Sequence, residues 1–242
     1  MRFVVFQHHP AEHPGVYRDL MRADGVAWDT VELDQGQTIP SLDRYDAMIA
    51  MGGPQDVWQT DQYKWLVPEK AAIRGWVQAR KPYLGICLGH QLLADALGGA
   101  CAMMRQPEIG IFDYELNAQG QADAIFSGIA TTSPCLQWHA VEVATAPPGA
   151  EILASSPACA NQAMRVGERA YGMQFHVEAT DTTVREWGCV PEYEAALNKS
   201  LGAGGLQMFE TQTARTLASL NAQAAQVYKN FAALVRRVRV RR

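Results

Sequence analysis

The chain has 242 residues, 48% of them hydrophobic and 19% charged, the composition of a globular protein long enough for one large α/β domain. A formal net charge of −4 gives no footprint for a polyanion, so nucleic acid is not an expected partner. No apolar stretch approaches membrane-spanning length, and the opening "MRFVVFQHHP" is not a secretory signal. Five widely spaced cysteines at 87, 101, 135, 159 and 189, with no CxxC pair, fit neither a disulfide framework nor a structural zinc site. A reducing, cytoplasmic setting is expected.

In chain order, "RFVVF" predicts a buried first strand, followed by the loop "QHHPAEHPG" and a helix through "VYRDLMRADG". "WDTVEL" and "YDAMIAMGGP" read as second and third strands, the latter closed by a Gly-Gly-Pro turn. Helical periodicity runs over 63–80, and "KPYLGI" starts another strand. This alternation predicts a largely parallel sheet with helices on its faces. From about residue 110, "IFDYELN", "PCLQWHAVEV", "EILASS", "NQAMRV" and "AYGMQF" read as short strands that continue the same core. The tail differs. "PEYEAALNKSLGAGG" has proline in its first turn and glycine beyond its end, the marks of a short helix. Leu206, Phe209, Leu217, Leu220, Val227, Phe231 and Leu234 then recur at helical spacing, as in a helix packed on the domain. The terminal "VRRVRVRR" reads as a solvated basic tail. The chain thus divides into an α/β unit over 1–190 and a helical extension with a basic tail over 191–242.

Gly85-Ile86-Cys87-Leu88-Gly89 has the form small-x-nucleophile-x-small. A strand turning at once into a helix brings the residues two before and two after the apex nearly into contact, and glycine at both places removes the clash. Cys87 then projects from the sheet edge at a helix N-terminus, where thiolate is favoured. The Leu88 amide is left to point at whatever the sulfur attacks. A packed small hydrophobe is the competing reading of such a cysteine. His90 reads as structural, while Gln91 is placed to reach over the pocket.

A cysteine nucleophile needs a base and a group to orient it. "YGMQFHVEAT" ends an apolar strand in His176-Val177-Glu178, where alternation puts His176 and Glu178 on one face. The carboxyl end of such a strand is where open α/β sheets gather their sites. Gly52 and Gly53, after the third strand, offer a second oxyanion N–H, although a plain turn explains them equally well. His8, His9 and His13 crowd one loop without further ligands at metal spacing, and no metal site is assigned there.

Taken together, "MGGP", "GICLGHQLLADALGG" and "QFHVE", in this order, resemble the class I glutamine amidotransferase family, with "EIG", "QWHAVEV" and "NQAMRVGERAYGMQFH" extending the likeness over about 45–180. The resemblance is strongest to stand-alone, GMP synthase-like members. It implies a flavodoxin-like fold: an open, mostly parallel mixed sheet flanked by helices, here with an extra C-terminal helical segment. It also implies a Cys-His-Glu triad of Cys87, His176 and Glu178, and an oxyanion hole from Gly53 and Leu88. Substrate contacts fall to Gln91 and to backbone atoms of Ala140 and Val141. No metal or organic cofactor is implied. The chain departs from the family pattern at Val177, where proline is common, and at Gln55, where some members keep glycine. Val177 should face away from the pair; Gln55 should alter the pocket mouth. The implied activity is release of glutamate and ammonia from glutamine through a γ-glutamyl thioester, with the ammonia passing to a separate synthetase. The alternatives are a free-standing γ-glutamyl peptide hydrolase and a non-catalytic binding protein of the same fold.

Overall fold

Four apolar runs pair in parallel: β1 (Arg2–Gln7), β2 (Ala27–Glu32), β3 (Ala47–Ala50) and β4 (Tyr83–Ile86), in spatial order β2-β1-β3-β4. The structure is a computed structural model that describes residues 1–240. β3 and β4 are buried over their full length, as central parallel strands covered on both faces must be. Along β1 the pleat sends Phe3 and Val5 to one face and Val4 and Phe6 to the other. The second face packs against Ile73 and Trp76 of α2 (Leu66–Gln78) and Leu92 and Leu93 of α3 (Leu88–Ala96). The first face packs against Tyr17 and Met21 of α1 (Tyr17–Ala23) and against the C-terminal helix.

The later strands join the same sheet. They are β5 (Ala100–Leu116), β6 (Thr132–Thr145), β7 (Ala150–Ser155), β8 (Ala163–Val166) and β9 (Ala170–Met173). β9 runs parallel to β4 and antiparallel to β8, so one nine-stranded sheet results, in order β2-β1-β3-β4-β9-β8-β7-β5-β6. The expected open, mixed sheet flanked by helices is what forms. One boundary differs. β5 starts at Ala100, about ten residues before the sequence signals a change, and pairs with β6 as a long antiparallel ribbon. Its first residues are largely exposed and its register shifts between Met103 and Glu108, near Pro107, so no period-two apolar signal marks it.

Beyond the short α4 (Ala118–Ala122) between β5 and β6, three helices follow the sheet: α5 (Thr183–Trp187), α6 (Pro191–Leu201) and α7 (Gly205–Val240). α6 begins on Pro191 and stops at Gly202, whose φ of 70° suits a residue without a Cβ. α7 has 36 residues and is about 54 Å long at 1.5 Å per residue. It lies on its own sheet: Phe231 meets Phe3 edge-on at 6.1 Å, and Tyr228 donates to Asp24 at 3.0 Å. Part of the basic run is also anchored, Arg236 to Asp24 and Arg239 to Asp46. Arg241 and Arg242, which belong to the tail expected to be solvated, lie outside the described residues.

Candidate active site

The apex between β4 and α3 is strained as the glycine spacing requires. Cys87 has φ 51° and ψ −104°, a left-handed conformation that few side-chain-bearing residues adopt. A methyl group on Gly85 would lie 2.5 Å from the Gly89 carbonyl carbon and 2.9 Å from the His90 nitrogen, so only glycine permits the turn. The Cys87 N–H donates to the Met173 carbonyl at 2.8 Å, and its own carbonyl accepts from Gln91 N–H at 3.1 Å. Leu88 is the first helical residue, so its N–H has no intrahelical carbonyl to bind. Cys87 is 5% exposed and lines a cavity of about 120 Å³. All five cysteines are free. Burial pushes the Cys101 and Cys159 thiols up to about 12, which leaves them inert.

The structure brings Cys87, His176 and Glu178 together. His176 Nδ1 lies 2.6 Å from Glu178 Oε1, both side chains are buried, and the Cys87 sulfur is near enough to act electrostatically on the imidazole. With Nδ1 engaged by Glu178, Nε2 is the ring nitrogen left for other partners. Burial works against an imidazolium here, but the Glu178 carboxylate and the Cys87 sulfur outweigh it and hold His176 well above the usual histidine range. The local backbone differs from the expected strand end. β9 stops at Met173, and His176 is instead fixed by a two-way bridge with Leu136 at 2.9 and 3.0 Å. Val177 points into the core, away from the pair, and its N–H donates to Glu178 Oε2 at 3.0 Å. Gly15 packs against the Glu178 carbonyl, which also accepts from Val16 N–H at 2.9 Å.

Gly52 and Gly53 follow β3 at the same sheet edge, and Gly53 lines the cavity. The Gly52 carbonyl is held from behind by His8 Nδ1 at 2.8 Å, while His8 Nε2 meets Glu69 at 2.8 Å and the ring stacks on Trp65 at 5.3 Å. Because carbonyl and amide point opposite ways across a trans peptide, this grip turns the Gly53 N–H away from His8. Burial opposes a charged His8, but Glu69 and the Gly52 carbonyl prevail and raise it. The histidine-rich loop therefore braces the turn. His9 and His13 accept from the Ala11 and Gly15 amides, each at 3.1 Å, and no group of three potential ligands forms a metal cluster among the described residues.

The remaining wall of the cavity comes from Pro54, Gln55, Asp56, Gln91, Ile109, Trp138, His139, Ala140 and Val141, with Glu192, Tyr193 and Ala196 from α6. Ala140 and Val141 are thus cavity-lining residues. Gln91 contributes differently: its amide donates to the Val141 carbonyl and to Gln174 Oε1, both at 3.1 Å, so it braces the wall. Gln55 lines the mouth and donates to the His8 carbonyl at 3.1 Å. His90 is buried and driven down to about 3 by burial, so it is neutral and structural, as expected. Several neighbours escape a reading of the sequence. Gln174 Nε2 sits 3.5 Å from the sulfur. His139 bridges the Val141 carbonyl (2.9 Å) and Glu108 (3.0 Å). Trp187 stands edge-on to His176 at 4.6 Å. Of these, only the polar Gln174 inside the apolar "YGMQF" carries a local signal.

The family model for glutamine amidotransferase class I matches residues 3–186. The chain belongs to that family. A glutamine-hydrolysing GMP synthase subunit from Sulfurisphaera tokodaii is 36% identical over 171 residues, 69% of this chain and 87% of the relative. The glutamine amidotransferase-like protein YfeJ of Salmonella typhimurium is 30% identical over 74% of this chain and 76% of its own length. Among solved structures, a glutamine amidotransferase from Methylobacillus flagellatus superposes with TM-score 0.82 at 27% identity, covering 96% of this chain and 94% of its own. One from Thermotoga maritima gives TM-score 0.85 at 24% identity over 96% and 97%, a likeness of fold. The C-terminal helices α6 and α7 lie beyond the matched family segment. No helix among the described residues is long and apolar enough to cross a membrane.

Proposed function

We propose that this chain hydrolyses the side-chain amide of glutamine through a γ-glutamyl thioester on Cys87, and that residues 1–190 form the hydrolytic unit with 191–242 as its helical extension. The observation that carries the reading is one strained, pocket-lining cysteine close to a histidine whose Nδ1 is held by Glu178. The Cys87 thiolate adds to the γ-carbonyl carbon, and the oxyanion is received by the Gly53 and Leu88 amides. His176 then protonates the nitrogen as the C–N bond breaks and ammonia leaves. In the second half, His176 takes a proton from water, the hydroxide adds to the thioester, and glutamate departs as the thiolate is restored. Ala140 and Val141 bound the far end of the substrate, with Gln91 fixing the Val141 carbonyl. The ammonia would pass to a separate synthetase, an arrangement supported by the likeness to a glutamine-hydrolysing GMP synthase subunit.

Glutamate release by the purified chain, beside a Cys87→Ser control, tests this. Turnover of glutamine that vanishes in the control supports the proposal. Faster turnover of γ-glutamyl peptides than of glutamine would replace it with a free-standing γ-glutamyl hydrolase. Absence of both, with Cys87 unlabelled by a glutamine-like electrophile, would leave a binding role.

A further inference from the structure

The loop between β1 and α1 carries a carboxyl group that the mechanism above does not use. Glu12 is 1% exposed, and its Oε2 has no hydrogen-bond partner among the described residues. Its Oε1 accepts from the hydroxyl of Tyr193, 181 positions away on α6. A methyl group on Gly52 would collide with the Glu12 carboxyl and lie 3.3 Å from His176 Cε1, so carboxyl and imidazole flank the same glycine. Tyr193 in turn lines the Cys87 cavity and packs on Trp138 (5.6 Å) and Trp187 (6.0 Å), the tryptophan that stands against His176. Thus a helix outside the matched family segment lines the cavity, and its side-chain tether from Tyr193 ends beside the candidate base.

We propose that Glu12 and Tyr193 are a positioning pair: their contact fastens α6 as the roof of the Cys87 pocket and holds a second carboxylate beside His176. The reaction assigned above is the reaction they serve. Burial, with Glu178 beside it, raises Glu12 above the usual carboxylate range, and the His176 imidazolium, the Tyr193 hydroxyl and His8 offset part of that rise. His176 itself faces Glu178 and Cys87 as well. A carboxylate at Glu12 favours the imidazolium, so its removal lowers the pH at which His176 loses its proton.

Two variants separate roof from charge. Glu12→Gln keeps the shape and can still accept from Tyr193, but removes the charge. Tyr193→Phe keeps the ring and removes the tether. The direct readout is NMR titration of His176 through its carbon-labelled Cε1, which requires no turnover. Glu12→Gln is expected to lower that midpoint by about one unit, and the alkaline limb of kcat/KM for glutamine with it. Tyr193→Phe is expected to lower kcat/KM about tenfold, the size of one lost hydrogen bond to a charged group, chiefly through KM. An unchanged His176 midpoint in Glu12→Gln overturns the charge role, and wild-type kcat/KM in Tyr193→Phe overturns the roof. If the wild type turns over no γ-glutamyl compound, the glutaminase reading fails by itself and the NMR titration still decides the pairing. Should Glu12→Gln not fold, Glu12→Asp, which withdraws the carboxylate from His176 by one methylene, is expected to lower the midpoint in the same direction, and no change there overturns the charge role.

Discussion

Three buried histidines among the described residues sit against buried glutamates, and only one of them faces the proposed nucleophile. His8 meets Glu69 at 2.8 Å, His139 meets Glu108 at 3.0 Å, and His176 meets Glu178 at 2.6 Å. The difference lies in the second ring nitrogen. In His8 it is spent on the Gly52 carbonyl, and in His139 on the Val141 carbonyl, so both rings brace backbone that lines the pocket. In His176 it is left for the Cys87 sulfur, the proposed partner in proton exchange. A buried His–Glu pair therefore signals chemistry only when its far side is open to a reacting atom. The other two pairs hold the Gly52–Gly53 turn and the far wall in place, and Glu108 is itself fixed by Ser156 and Gln162. Burial works to raise Glu108, but its bonds to His139, Ser156 and Gln162 outweigh that and hold it below the usual carboxylate range.

The sharpest break of this comparison is to remove the reactive pair. Cys87→Ser or His176→Gln should reduce glutamate release by at least about 10³-fold with the fold intact, as loss of a nucleophile or base does. Circular dichroism checks the fold and a coupled glutamate assay the rate. The bracing pair should behave otherwise. His8→Ala frees the Gly52–Gly53 peptide without touching substrate, so kcat should fall by about 10- to 100-fold, a misaimed oxyanion donor at most, with KM little changed. A loss as large as that of His176→Gln would erase the distinction between brace and base.

The elbow was legible because part of its cause is local: a side chain at 85 would strike the Gly89 carbonyl within the turn, whereas one at 89 would strike the Ala50 carbonyl on β3. The β–α alternation was legible for the same reason, since each parallel strand is a continuous apolar run. The His176–Glu178 pairing was reached through strand alternation that stops three residues short; the pair meets because Leu136 pins His176 and Val177 N–H pins Glu178. His8, Glu12 and Tyr193 gave no usable sign of their positions. Their partners are 44 to 181 residues distant, and nothing in a loop of histidines tells which ring will meet a carbonyl across the sheet. The start of β5 was hidden because a solvated ribbon needs no apolar alternation.

A brace built on a buried ion pair should also show in stability. Glu69→Ala would strand His8 in the core, at a cost of about 3–5 kcal/mol, read from the urea midpoint at pH 7. The same pair gives a pH signature. His8 is raised above its unfolded value, so its contribution is fully present below about pH 6.5 and is lost as pH climbs through the folded value. The wild-type midpoint should therefore fall from neutral to alkaline pH. In Glu69→Gln, which removes the raising carboxylate, that fall should shrink; an undiminished fall would move its origin away from His8.

The smallest effect expected tests how finely the reactive pair is set. Most of what orients Glu178 survives any change at residue 177: its Oε1 still meets His176, and its carbonyl still accepts from Val16. What proline would remove is the Val177 N–H, the donor to Oε2 at 3.0 Å. One hydrogen bond to a carboxylate is then lost while the side chain at 177 still faces the core. With Oε2 released, Glu178 should swing more freely and hold the imidazolium less well, so Val177→Pro should lower kcat about two- to tenfold and move the His176 midpoint slightly downward. If instead kcat rises, the valine is a handicap that this chain tolerates, and the amide bond contributes nothing to the orientation of Glu178.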